Sequence, residues 1–256
     1  MAHPRIEFEV DVFSPSGLTL LVDGTAQSHV DLHDATRLFF EYMRRIGHVL
    51  DAVRLVGEPI RALHLGGGAL TLPRYVAATR PGSSQVVVEH DAELVALVLD
   101  RLPLPDGADI ELMIADARAS LGPDGPIADV RPFDAVVVDL YARMEAPAFV
   151  DQPSFMGRCL AALAPGGLVV VNVADAPGLV RLRAQARAFA RADPSAELLV
   201  AGDPTVLAGT EEGNVILVAA PDGLPGGLVD RLAAAGPFPA EVLTGHRLDA
   251  VLWGAC

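Results

Sequence analysis

Ala62-Leu63-His64-Leu65-Gly66-Gly67-Gly68-Ala69-Leu70-Thr71-Leu72-Pro73 carries a short apolar run into three glycines and then into a helical pattern. The next apolar run, Gln85-Val86-Val87-Val88-Glu89, ends on an acid. Glycines remove the Cβ atoms that would hold a ligand off the backbone, and they permit positive φ in the turn. A helix start directly behind them supplies unpaired N–H groups and the positive end of a dipole. An acid about twenty residues further on suits the diol of a ribose. Strand, glycine loop, helix, strand and acid together make a nucleotide pocket in an α/β domain.

The flanking sequence repeats the same alternation. Strands are predicted near 61–65, 85–89, 110–114, 134–138 and 167–173, with helices near 70–79, 92–101, 151–163 and 177–191. Such alternation predicts a doubly wound, mostly parallel sheet with helices on both faces. Two late strands near 197–201 and 214–220 have no clear helix between them, so the sheet is predicted to end in a reversed, antiparallel strand. A last helix is placed near 226–235. Ahead of the sheet, Ile6, Phe8, Val10 and Val12 alternate with Glu7, Glu9 and Asp11, and Leu18–Val22 forms a second strand ending at Asp23-Gly24. These pair as a small β-hairpin over 1–34, followed by a helix from 35 to 49. The nucleotide-binding α/β domain then occupies 35–256.

Composition narrows the partners. Half the chain is hydrophobic (51%), which excludes general disorder. A net charge of −14, from 33 acids against 19 bases, repels phosphate backbones and anionic lipid, so nucleic acid and membranes are not expected partners. No apolar run approaches the ~20 residues that span a bilayer. Without a signal segment at Met1-Ala2-His3-Pro4, a cytoplasmic protein is expected. Cys159 and Cys256 form no C-x-x-C unit, and His29, His33, His48 and His64 lack metal-ligand spacing, so no metal is assigned. The hairpin, too small to fold alone, is a pairing surface for a homodimer.

The glycine loop by itself does not name the nucleotide. The dinucleotide fingerprint G-x-G-x-x-G/A would place a small residue where Thr71 stands, which argues against NAD. Three acids close successive strands: Glu89, Asp116 (followed by Ala117) and Asp139, after Phe133-Asp134-Ala135-Val136-Val137-Val138. In open α/β sheets ligands bind outside the carboxyl ends of the strands. Glycines plus three acids suit a ribose, an adenine amino group and a positive centre. S-adenosylmethionine and its decarboxylated form carry all three. Glu89 is the ribose candidate, and Asp139 is the catalytic candidate beside the sulfonium.

Several stretches, in order, resemble the spermidine synthase family within the class I methyltransferase-like fold. They are Leu21-Val22-Asp23-Gly24-Thr25-Ala26-Gln27, Leu65-Gly66-Gly67-Gly68, Val88-Glu89-His90-Asp91, Ala115-Asp116-Ala117, Phe133–Asp139, Leu163–Asn172 and Gly213–Val218. The resemblance implies a seven-stranded sheet of that type, and Gln27, Gly66, Gly67, Gly68, Glu89, Asp116 and Ala117 as nucleotide contacts. It further implies Asp139 as the catalytic aspartate, and aminopropyl transfer from decarboxylated S-adenosylmethionine to a cationic polyamine. Tyr42 and Tyr141 are candidates for the acceptor pocket. The chain departs from the family pattern at three places. Ala69 stands where the family loop continues with aspartate, Ala142 stands where its catalytic motif has a second aspartate, and Phe40-Glu41-Tyr42 stands near its Tyr-His-Glu. Methyl transfer from S-adenosylmethionine, to a small molecule or a protein, and a non-catalytic nucleotide-binding role therefore stay open beside aminopropyl transfer.

Overall fold

The computed structural model describes residues 5–141 and 146–254. Two sheets organise it. The first is antiparallel and contains β1 (Ile6–Val10), β2 (Gly17–Val22) and β3 (Thr25–Asp31). The N-terminal unit is thus a three-stranded sheet and not the hairpin read from the sequence. Asp23 and Gly24, both with positive φ, close a two-residue turn that returns the chain into β3. The third strand shows no apolar alternation because its inward side chains are polar and partnered. Ser28 Oγ accepts from the Ala69 N–H, His29 Nε2 meets Asp11 at 3.1 Å, and Asp31 accepts from Ser16 Oγ at 2.6 Å.

The second sheet holds eight strands, β4 (Arg61–Leu65), β5 (Ser84–Glu89), β6 (Asp109–Ile114), β7 (Phe133–Val138), β8 (Leu163–Asp175), β9 (Glu197–Gly202), β10 (Gly213–Ala220) and β11 (Glu241–Thr244). Their order is β11-β9-β10-β8-β7-β4-β5-β6. Strands β4 to β8 are mutually parallel, and β10 runs antiparallel to both β8 and β9. The reversed strand is therefore inserted between its neighbours, and β11 adds an eighth strand beyond the expected seven. The α/β fold class of the methyltransferase type stands.

The helices are α1 (Glu41–Ala52), α2 (Thr71–Thr79), α3 (Ala92–Arg101), the short α4 (Ala117–Ser120) and α5 (Ile127–Val130), α6 (Pro153–Ala161), α7 (Val180–Ala192), the short α8 (Pro204–Leu207), α9 (Leu228–Ala235) and α10 (Gly245–Trp253). Helix α1 starts later than the predicted residue 35. Asp34 Oδ1 accepts from the Thr36 N–H at 3.0 Å, a local turn that competes with helix. No described helix is long and apolar enough to cross a membrane.

Burial on both faces explains why the central strands read as continuous apolar runs. Val136 and Val138 of β7 face a core completed by Phe155, Met156, Leu182 and Phe189 of α6 and α7. Ala135 and Val137 face the opposite core, with Ile46, Val49, Leu72, Tyr75 and Leu232 of α1, α2 and α9. A third cluster joins Leu20 and Val30 of the small sheet to Ala69, Leu70, Val87 and Val98. It presses the N-terminal sheet onto the glycine loop.

Arg80 follows α2 and is 1% exposed. It donates to the carbonyls of Asp51 and Glu58 at 2.7 Å and to those of Leu55 and Arg54 at 3.1 and 3.3 Å, tying the end of α1 and the segment after it to the end of α2. Arg80→Met leaves these carbonyls without their donor. It should lower stability by on the order of 3 kcal/mol, read as a shift of the urea midpoint at unchanged slope.

Candidate functional site

Strands β5 and β6 follow β4 on one side while β7 and β8 lie on the other, so the direction of winding reverses between β4 and β7. A crevice opens at such a reversal, at the carboxyl ends of the strands. The glycine loop sits there. Gly66 has φ +97°, and a Cβ on it would lie 2.1 Å from the Asp139 carbonyl oxygen. The ladder continues through the contact, with Gly66 N–H donating to Val88 O and Asp139 N–H to Leu65 O, both at 2.9 Å. On the far side, a Cβ on Gly68 would meet Ser28 Oγ at 2.5 Å. Thr71, the residue that breaks the dinucleotide fingerprint, donates its hydroxyl to His29 O at 2.9 Å and so fastens α2 to the small sheet.

Glu89 closes β5 with its side chain buried. Its Oε1 accepts from the backbone N–H groups of His90 and Asp91 at 2.7 and 3.0 Å and lies 2.9 Å from His90 Nδ1. Its Oε2 accepts from Gly67 N–H at 2.9 Å and retains capacity for a further donor. Asp91 caps α3 through Leu94 N–H at 2.9 Å. Asp116 is exposed and caps α4 through Ala119 N–H at 2.8 Å, while Ala117 is buried in the core beneath. It stands beside Glu89, since Ala115 N–H donates to Glu89 O. Asp134, at the opposite end of β7, is held by Arg54 and by Arg61 N–H.

Asp139 sits in a polar chain that crosses three strands. Asn172 of β8 donates from Nδ2 to Asp139 Oδ1 at 2.8 Å, and Asn214 of β10 donates to Asn172 Oδ1 at 2.9 Å. Tyr141 Oη donates to Asn172 O at 3.0 Å and accepts from Ala174 N–H. Burial pushes the Asp139 carboxyl up to about 6, against the Asn172 hydrogen bond, which favours the anion. Burial, followed by the nearby Asp139 charge, raises the Tyr42 phenol well above its ordinary range. Tyr42 Oη reaches Gln27 O at 3.5 Å, which brings β3 to the same place. The structure thus gathers the glycine loop, Glu89, Asp116, Asp139, Tyr42, Tyr141 and Gln27 at one end of the sheet. Ala142 lies outside the described residues.

Sequence reading assigned no role to Ser28, Asn172, Asn214 or Arg45. The two asparagines did leave a signal, each being a polar residue inside or against an apolar strand run. A cavity of about 340 Å³ is lined by Ala26, Phe40, Glu41, Tyr42, Arg45 and Asn214, the last joined to Asp139 through Asn172. A larger open depression of about 750 Å³, lined by Asp51, Arg54, Leu55 and Arg231 among others, lies at the Asp134 end, away from the acids.

The whole chain superposes on a probable spermidine synthase from Corynebacterium glutamicum with a TM-score of 0.83 and 27% identity, covering 100% of this chain and 95% of the other. The chain is spermidine synthase-like. A spermidine synthase in complex with the transition-state analogue AdoDATO matches at TM-score 0.61 and 17% identity, over 90% of this chain and 75% of that one. Human methyltransferase-like protein 13 in complex with SAH matches at 0.55 and 20%, over 71% and 82%. These neighbours are transferases. No protein-family model matches the sequence, and no curated protein does. Within this spermidine synthase-like frame Ala69 is fully buried against Leu20 and Val30, so the loop position that resembles an aspartate elsewhere serves packing here.

Replacing Asn172 by Leu removes a hydrogen bond that favours ionised Asp139. The Asp139 carboxyl should then titrate above its starting value of about 6, followed by carbon-detected NMR. A carboxyl that titrates near 4 in both proteins would contradict the assigned environment.

Proposed function

We propose that this chain is a transferase that binds an adenosylmethionine-type nucleotide across the ends of β4 to β7 and passes an alkyl group from its sulfonium to an amine. The observation that carries the reading is the contact between the glycine loop and the Asp139 strand end, with Glu89 held against the same loop. In this reading the backbone at Gly66–Gly68 leaves room for the nucleoside, a ribose hydroxyl donates to Glu89 Oε2, and Asp116 with Ala117 borders the adenine. Gln27 lies toward the sulfur end. Tyr42 and Tyr141 flank the acceptor.

The nominal reaction is aminopropyl transfer from decarboxylated S-adenosylmethionine. The acceptor nitrogen attacks the propyl carbon bonded to sulfur. As the C–N bond forms, the C–S bond breaks and its electron pair stays on sulfur, leaving a neutral thioether. Positive charge moves from sulfur to nitrogen, and a proton leaves the nitrogen for the Asp139 carboxylate. A poorly solvated carboxylate beside that nitrogen stabilises the developing ammonium and receives its proton. With a carboxyl that loses its proton near 6, the base form dominates at neutral pH.

Methyl transfer from S-adenosylmethionine is the second reading. Ala69 favours it, because the loop lacks the acid that would hold the amino end of the decarboxylated donor.

Calorimetry with S-adenosylmethionine, its decarboxylated form, methylthioadenosine and NAD distinguishes the readings. Preference for the decarboxylated donor is expected, and Glu89→Ala should weaken it more than tenfold while the thermal transition is kept. Preference for S-adenosylmethionine moves the assignment to methyl transfer, and absence of binding by all four ends it. Asp139→Asn should retain nucleotide affinity and lose roughly 10²–10⁴-fold in turnover. In the unmodified protein the rate should fall as pH drops through about 6, where Asp139 takes up its proton.

A further inference from the structure

We infer that the cavity beside Asp139 takes an acceptor bearing a carboxylate as well as an amine, with Arg45 as the residue that selects it. This rests on the transferase reading above and names the acceptor class for the same site.

Tyr42 and Arg45 stand three residues apart on α1, which places them on one helix face, and both line the cavity. Tyr42 feels the Asp139 charge, and the cavity residue Asn214 is joined to Asp139 through Asn172. Tyr42 and Asn214 therefore mark the side of the cavity that leads toward Asp139. The cavity wall also holds a guanidinium, with the Arg45 side chain only 3% exposed.

That guanidinium is poorly held. Its hydrogen-bond contacts are Glu41 Oε2 and Pro237 O at 3.4 Å and Pro239 O at 3.5 Å, all at the long limit for a hydrogen bond, and Asp203 acts on it through its charge alone. The other two buried arginines among the described residues differ. Arg74 reaches Pro103 O at 2.7 Å, and Arg80 reaches Glu58 O and Asp51 O at 2.7 Å. A cation taken from water without close partners is costly. Glu41 compensates little, because its side chain is 60% exposed and screened by solvent. A planar carboxylate is the ligand group that matches the guanidinium fork.

A simple diamine fits the buried part of this wall badly, because Glu41, the acid in the same lining, is largely in solvent while Arg45 is not. With one nitrogen at Asp139, its second ammonium would approach Arg45, and like charges repel. An amine with a carboxylate puts opposite charge at each end. The volume of about 340 Å³ suits a molecule the size of an amino acid.

The test uses the full chain saturated with methylthioadenosine and titrated calorimetrically with putrescine, 4-aminobutyrate and ornithine. The second probe replaces one ammonium of putrescine by a carboxylate, and the third adds a carboxylate to it. At least one carboxylate probe should bind tenfold or more tightly than putrescine. Arg45→Gln should abolish that preference with methylthioadenosine affinity unchanged, and Arg45→Lys should keep part of it. Putrescine binding as well as or better than both probes, no binding of either probe, or a preference unchanged in Arg45→Gln overturns the inference while leaving the nucleotide assignment in place. If Arg45→Gln does not fold, the ranking in the unmodified protein and the Arg45→Lys result decide. Failure of methylthioadenosine to bind the unmodified protein overturns both readings.

Discussion

The approach of the Gly66 backbone to the carbonyl of Asp139 governs the geometry of this site. A Cβ at residue 66 would lie 2.1 Å from that oxygen, so the ends of β4 and β7 can run together only where the side chain is absent. The contact occurs at the reversal of the sheet, where the crevice opens. It sets the distance between the nucleotide loop and the catalytic candidate. Gly67 then reaches Glu89 through its N–H, and Gly68 approaches Ser28 of the small sheet. Three adjacent glycines thus meet three separate parts of the chain, and none could be exchanged for another.

A polar chain running through apolar strands is the second structural theme. Asn214, Asn172 and Asp139 pass a line of hydrogen bonds from β10 through β8 to β7. Asn172 is paired on both atoms of its amide, so its burial costs less than that of an isolated polar group. The insertion of β10 between β8 and β9 makes this possible, because it puts Asn214 opposite Ala174 and so diagonal to Asn172. Had the reversed strand lain at the sheet edge, Asn214 would have been out of reach.

Much of the α/β domain was legible in the residues. The glycine loop, the valine runs of β5, β7 and β8, and the acids that end them mark strand, turn and helix through local rules. The misreadings share a cause. Strand β3 was missed because Gln27, Ser28, His29 and Asp31 are polar, and their burial is compensated by Asp11, Ser16 and Ala69, far away in sequence. The start of α1 was placed too early because apolar spacing does not register the turn at Asp34. Strand β11 is four residues long and follows two prolines, too short for a period to show.

The sequence by itself determined the class of fold and the positions of the strand-ending acids, since alternation and glycine chemistry act over a few residues. Only the tertiary structure decided which of those acids share a site, and in what surroundings. Asp116 is exposed at a helix cap, whereas Asp139 is buried beside Asn172, Tyr42 and Tyr141, and burial raises its carboxyl to about 6. The same holds for Arg45, to which the sequence assigned no role. Burial and the direction of a side chain depend on what packs against the helix, and its partners at 237 and 239 come from the far end of the chain.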